Sequence, residues 1–306
     1  MPPQRLRLTV TYEMWLEWRS DVVSRHISIL LLVSPPLVAG LALQKDPRPE
    51  LVAIRSGAAT LHAHVWRPSG NGRFPAVLIN HGSGRTRADL ERLGPYEQQS
   101  EALGPVFVRH GYVCVFLFRR GVGPSTDQGE NAVDAMNRES AAHGESARNA
   151  LQMELLQGRE MDDALAGLAF VRRLADVDAR RVAIIGHSFG GSLSVLMTER
   201  EPALRAAVVF STAGYSWDRS PELRARLLDA ARRTAVPLFF IHAENDYSIN
   251  PGKLLDAELA RLGKPHRLEI YPPVGRSADE GHDFPLNSIA AWETDVFAFL
   301  DPYMQR

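Results

Sequence analysis

The sequence predicts an α/β fold with a mainly parallel central sheet and helices on both of its faces. From Leu51 onward, short apolar runs alternate with amphipathic helical patterns, and strands joined by helical crossovers pair in parallel. The uninterrupted apolar run at residues 182–185 is typical of a strand covered on both faces. It leads directly into a glycine-flanked turn and a helical pattern, which predicts a strand, a sharp turn and a helix in succession.

Composition limits the kinds of partner that the protein can have. The chain has 306 residues and a formal net charge of −1, a length that one large α/β domain commonly reaches. The near-neutral charge argues against nucleic acid or an anionic membrane surface, so we expect a small-molecule partner. The single cysteine, Cys114, lies in the apolar run 112–118 and predicts a buried, unreactive thiol.

An uncharged run at residues 27–43 precedes the alternating pattern. It follows Arg25 and ends in the small residues Gly40-Leu41-Ala42, a pattern typical of a secretory signal with cleavage after Ala42. A membrane-spanning helix and a buried N-terminal helix are the alternatives. We therefore expect an N-terminal extension at 1–43, an α/β domain at 44–306, and export to the periplasm or medium, with a cytoplasmic location as the alternative.

The elements before the glycine-flanked turn follow from apolar periodicity and turn residues. Residues 51–56 and 60–67 predict a hairpin at a sheet edge. Further predicted elements are a strand at 75–80, a helix at 96–110, a strand at 112–118 and a helix at 160–174. The stretch 124–157 is too long for a simple connection. It predicts a short helical insertion that covers the carboxyl ends of the strands as a lid.

After the turn, the predicted helix at 191–200 is followed by three more strand and helix pairs. They are strands at 206–210, 237–242 and 267–271, and helices at 220–233, 251–262 and 288–300. The carboxyl ends of these strands are where an open α/β sheet binds its ligands.

The turn Gly186-His187-Ser188-Phe189-Gly190 fits a G-x-S-x-G nucleophile elbow, in which a strained turn presents the serine hydroxyl above the sheet. A serine hydroxyl is a poor nucleophile until a base accepts its proton, and the base needs an orienting acid. The acid and the histidine are expected after later strands. Asp246 and His282 follow the strands at 237–242 and 267–271, and Glu244 is the alternative acid.

The motifs together resemble an α/β-hydrolase, and most closely the dienelactone-hydrolase-like branch with its prolyl-oligopeptidase-like relatives. The resemblance covers the chain from about Leu51 to the C-terminus. The motifs that carry it are His81-Gly-Ser-Gly84, Arg119-Arg-Gly-Val-Gly-Pro-Ser125, the elbow, His242-Ala-Glu-Asn-Asp246 and Gly281-His282. The dienelactone hydrolases that name the branch carry a cysteine nucleophile, whereas this sequence has Ser188 there.

The resemblance implies an α/β-hydrolase fold with Ser188 as nucleophile, His282 as general base and Asp246 as orienting acid. The oxyanion hole is expected to combine the backbone N–H of Phe189 with that of Ser83 or, next, Gly82.

Three residues beyond strand ends are candidates for substrate binding. Arg119 could bind a substrate carboxylate, although an ion pair with an acid of the neighbouring segment explains it as well. Tyr215 and Trp217 could line the acyl pocket or pack beneath the lid.

The sequence therefore predicts a serine hydrolase that cleaves a carboxylic ester or lactone through an acyl-enzyme, without metal or organic cofactor. A prolyl-oligopeptidase-like serine peptidase and a non-catalytic binding protein of the same fold are the alternatives. Only about fifty residues precede Leu51, and we expect esters rather than peptides because so short a segment cannot form a gating domain.

Overall fold

An eight-stranded sheet crosses the part of the chain that the computed structural model describes, residues 48–305. The predicted signal segment lies outside these residues. The strands are β1 (Glu50–Ser56), β2 (Ala59–Trp66), β3 (Phe74–Asn80), β4 (Val113–Phe118), β5 (Val177–His187), β6 (Ala207–Phe210), β7 (Leu238–Ala243) and β8 (His266–Tyr271). Their order in the sheet is β1-β2-β4-β3-β5-β6-β7-β8.

The sheet is mainly parallel. The edge hairpin β1–β2 is antiparallel and β2 joins β4 in the antiparallel sense, whereas every pair from β4 to β8 is parallel. The strand that carries the elbow, β5, lies between β3 and β6. Because parallel strands end at the same edge, the loops after β3, β5, β6, β7 and β8 meet there.

Eleven α-helices and one 3-10 helix, Gly123–Gln128, connect the strands of the described residues. The α-helices are α1 (Arg87–Leu93), α2 (Tyr96–Arg109), α3 (Ala132–His143), α4 (Glu145–Gln157), α5 (Arg159–Arg173), α6 (Phe189–Arg200), α7 (Pro221–Arg233), α8 (Asn250–Arg261), α9 (Ala278–His282), α10 (Phe284–Asn287) and α11 (Ile289–Met304). Within residues 48–305, none of them combines the length and apolar character needed to cross a membrane.

Helices cover the sheet on both faces, as predicted. Along β5, Val182 and Ile184 belong to one buried apolar cluster, and Ala183 and Ile185 belong to the other. This alternation follows from the two-residue period of a strand. Helices α5 to α8 contribute to the first cluster, and α2 and α11 to the second.

The observed elements differ from the predicted ones in their ends and in number. Strand β5 begins at Val177 rather than at residue 182. The earlier start was not predicted because the first half of the strand is polar and carries no apolar run. Helices α1 and α9 were not predicted, and each begins with a capping box, at Thr86 and Ser277. The segment predicted as a helical insertion contains the 3-10 helix, α3 and α4.

Candidate active site

Ser188 lies on a strained turn between the end of β5 and the first residue of α6. Its φ is 54° and its ψ is −115°, a region that residues with a side chain rarely adopt. The flanking glycines allow the close packing of this turn. A Cβ on Gly186 would lie 2.4 Å from the carbonyl oxygen of Gly190, and one on Gly190 would lie 2.0 Å from that of Asn80.

The structure brings Ser188, His282 and Asp246 into one hydrogen-bonded chain. His282 Nε2 is 2.8 Å from Ser188 Oγ, and His282 Nδ1 is 2.6 Å from Asp246 Oδ1. Asp246 lies in the loop after β7, and His282 ends α9. The three residues meet because β5, β7 and β8 are parallel and end at one edge of the sheet.

Asp246 also accepts a hydrogen bond from a second histidine. His242 Nδ1 is 2.9 Å from Asp246 Oδ2, and the backbone N–H of Tyr247 donates to Asp246 Oδ1 at 2.7 Å. Burial acts to raise the pKa of Asp246, but His282 and His242 outweigh it and hold the pKa below its usual value. Asp246 is therefore ionised at neutral pH. Sequence analysis missed the contact of His242, although this histidine stands four residues before Asp246 in the quoted motif.

His187 supports the position of His282 through the main chain. His187 Nε2 and the Ser211 hydroxyl both donate to the carbonyl oxygen of His282, each at 2.9 Å. Burial, with the nearby His282, lowers the pKa of His187 to about 4. The imidazole of His187 is therefore neutral at physiological pH.

The lowered pKa of His187 predicts acid sensitivity. Between pH about 6.5 and about 4 the unfolded chain binds a proton at this histidine that the folded chain resists, so stability falls as pH falls. We expect His187→Asn to reduce the loss of stability between pH 7.5 and 4.5 by on the order of 2 kcal/mol. Chemical denaturation at the two pH values measures this difference.

The control is His143→Asn, because His143 is an exposed histidine on α3. It should lose as much stability on acidification as the wild type does. The same loss in His187→Asn would contradict the explanation.

The three residues expected to form the oxyanion hole line the cavity that contains Ser188. Phe189 is the first residue of α6, so its N–H has no partner within the helix. Gly82 and Ser83, in the loop after β3, line the same cavity as Ser188. A Cβ on Gly82 would lie 3.3 Å from Ser188 Cβ. This arrangement suits an oxygen that becomes negatively charged beside the serine.

The cavity over Ser188 is small and covered. Its volume is about 40 Å³, room for roughly three water molecules. Met136 of α3 and Gln152 of α4 line it, so the segment predicted as an insertion contributes to the cavity. Tyr215 and Tyr247 also line it, with ring centroids 5.7 Å apart. Tyr215 was predicted, whereas sequence analysis did not identify Tyr247.

The other candidates lie elsewhere. Arg119 is buried and paired with Glu160 at 2.8 Å, as in the ion-pair alternative, and it is not among the residues that line the cavity. The large side chain of Trp217 belongs to a buried apolar cluster and is not among the residues that line the cavity. Glu244 is exposed, and Asp246 is the acid that contacts His282.

The sequence is similar to a known protein family and to a characterised relative. The model of the dienelactone hydrolase family matches residues 90–292. The quorum-quenching protein AidA from Acinetobacter baumannii is 27% identical over 171 residues, which are 56% of this chain and 46% of that protein.

Solved structures share the fold. The acylaminoacyl peptidase of Pyrococcus horikoshii superposes with a TM-score of 0.62 at 17% identity, over 86% of this chain and 42% of the peptidase. A dienelactone hydrolase from Anabaena variabilis gives a TM-score of 0.56 at 16% identity, over 83% of this chain and 98% of that structure. The chain thus spans less than half the length of AidA and of the peptidase.

Proposed function

Because the chain belongs to the dienelactone hydrolase family, we propose that it is a serine hydrolase that cleaves a carboxylic ester or lactone through an acyl-enzyme. The observation that carries the proposal is the chain of hydrogen bonds from Ser188 Oγ through His282 to Asp246, at 2.8 and 2.6 Å. These hydrogen bonds link a nucleophile to a base and the base to an orienting acid, as nucleophilic catalysis by serine requires.

In the first half of the proposed reaction, Ser188 Oγ attacks the carbonyl carbon of the ester while its proton moves to His282 Nε2. Asp246 accepts the Nδ1–H of His282, which fixes the tautomer that leaves Nε2 free to act as a base. The buried carboxylate also stabilises the imidazolium that forms. His282 then gives the proton to the leaving alkoxide, and the acyl group remains bonded to Ser188.

In the second half, water attacks the acyl-enzyme while His282 takes its proton, and the same proton then returns to Ser188 Oγ as the acid leaves. The negative oxygen of both tetrahedral intermediates is held by backbone N–H groups. We assign this role to Phe189 together with Ser83 or Gly82, because all three line the cavity beside Ser188. The N-terminus of α6 adds its positive dipole end at the same point.

The substrate is expected to be an ester rather than a peptide. The covered cavity of about 40 Å³ suits a small acyl group, and an ester is intrinsically easier to cleave than an amide. We expect kcat/KM for p-nitrophenyl butanoate to exceed that for butanoyl p-nitroanilide, which carries the same acyl group, by at least about 100-fold. Release of the chromophore measures both.

A set of dipeptidyl and acylaminoacyl p-nitroanilides tests the peptidase alternative in the same assay. A higher kcat/KM on any of them than on the best short ester would replace the esterase proposal with a peptidase.

A further inference from the structure

The cavity beside Ser188 contains polar side chains that the proposed reaction does not use. Gln99 of α2, Gln152 of α4 and Ser192 of α6 all line it. Their exposed fractions are 6%, 4% and 1%. In each, one polar atom has no hydrogen-bond partner within the described residues: Nε2 of Gln99, Oε1 of Gln152 and Oγ of Ser192.

The unpartnered atoms of these side chains do not stabilise the fold. A buried polar atom without a partner is destabilising, and an apolar side chain of similar shape removes that cost. The amide of Gln152 contacts Ser216 Oγ at 3.2 Å through one end only, so its other end is free whichever way the amide is turned. Three residues with such atoms, on three helices, line one cavity, which points to a ligand.

The enclosed position of these groups favours the acyl part of a substrate. Ser192 lies one helical turn after Ser188, and its backbone N–H donates to the carbonyl oxygen of Ser188 at 3.0 Å. The acyl group stays bonded to Ser188 through both halves of the reaction, whereas the leaving group must depart after the first. A covered cavity is therefore better suited to the acyl group.

We propose that Gln99, Gln152 and Ser192 form a subsite for a hydroxyl group on the acyl chain, so that the preferred substrates are esters of short hydroxy acids. This inference rests on the proposed function. A hydroxyl group both donates and accepts hydrogen bonds. It can accept from the Gln99 amide and from the Ser192 hydroxyl and donate to Gln152 Oε1, which gives each of the three atoms a partner.

The test compares p-nitrophenyl butanoate with both enantiomers of p-nitrophenyl 3-hydroxybutanoate. These esters share chain length and leaving group and differ in the hydroxyl alone. We expect kcat/KM for one enantiomer to exceed that for butanoate by at least about tenfold, because a site built to hydrogen-bond a hydroxyl discriminates against the analogue that lacks it.

Gln99→Leu and Gln152→Leu should each reduce this ratio by at least about threefold, through a lower kcat/KM for the hydroxy ester. The melting temperature of Gln99→Leu should stay equal to that of the wild type or rise, because leucine removes a buried polar atom without a partner. Gln152→Leu also removes the hydrogen bond to Ser216 Oγ, so this variant is judged by the ratio alone. A purely structural glutamine would instead lower the melting temperature and slow both esters alike. The control is Gln98→Leu, an exposed neighbour on α2, which should leave the ratio unchanged.

The outcomes separate the two proposals. Cleavage of the butanoate and of both hydroxy esters with equal efficiency would overturn the subsite and leave the serine hydrolase in place. A ratio unchanged in both glutamine variants would also overturn the subsite. Cleavage of none of these esters would overturn the proposed function and the subsite with it.

Discussion

Ser188→Ala is expected to lower kcat on a short p-nitrophenyl ester by at least about 10⁴-fold while the protein remains folded. The Oγ of Ser188 lies 2.8 Å from His282 Nε2. Alanine has no hydroxyl, so the variant lacks the proposed nucleophile. Alanine also fits the space that serine occupies, so the elbow and the packing of α6 should persist. Steady-state kinetics and the melting temperature of the purified variant measure the two effects.

Ser69→Ala is the matched control, since Ser69 is an exposed serine in the loop between β2 and β3. It should retain the rate of the wild type. If Ser188→Ala kept more than about a tenth of the wild-type rate, another group would have to be the nucleophile.

Asp246→Asn should reduce kcat by about 10⁴-fold. The carboxylate accepts hydrogen bonds from His282 at 2.6 Å and from His242 at 2.9 Å, one at each oxygen. An asparagine has one oxygen and one amide nitrogen, so it cannot accept from both. If the amide nitrogen faces His282, the histidine takes the tautomer in which Nε2 carries the proton and cannot act as a base. If it faces His242, that histidine loses its acceptor. In both orientations the negative charge that stabilises the imidazolium is lost.

Glu244→Gln separates the two candidate acids. Glu244 lies in the same loop but is exposed. Its substitution should leave kcat within about twofold of the wild type, because Asp246 is the acid hydrogen-bonded to His282. A larger loss in Glu244→Gln than in Asp246→Asn would reverse the assignment of the acid.

The sequence predicted the elements whose signals are local. The apolar run of β5 and the glycines of the elbow have steric causes that act within a few residues, so the strand, the turn and the helix after them were predicted together. The parallel topology then places the loops after β7 and β8 near Ser188, which is why Asp246 and His282 were candidates by position. Position alone left Glu244 as an alternative acid, and the family resemblance favoured Asp246.

The parts that were missed depend on contacts distant in sequence. Arg119 fits a substrate contact and an ion pair equally well until Glu160, on a different element, is placed 2.8 Å away. The cavity lining depends on how α2 and α4 pack against the end of the sheet. Consequently Gln99 and Gln152 could not be identified from periodicity, in which they appear as ordinary polar positions of amphipathic helices.

Covalent labelling tests the identity of the nucleophile. A fluorophosphonate probe phosphonylates a serine that is activated by a neighbouring base, and peptide mass spectrometry locates the modified residue. We expect one modified site, Ser188, with labelling that is abolished in Ser188→Ala and strongly slowed in His282→Ala. Labelling of a different residue, or no labelling of folded protein by the probe, would contradict the assignment of Ser188 as the nucleophile.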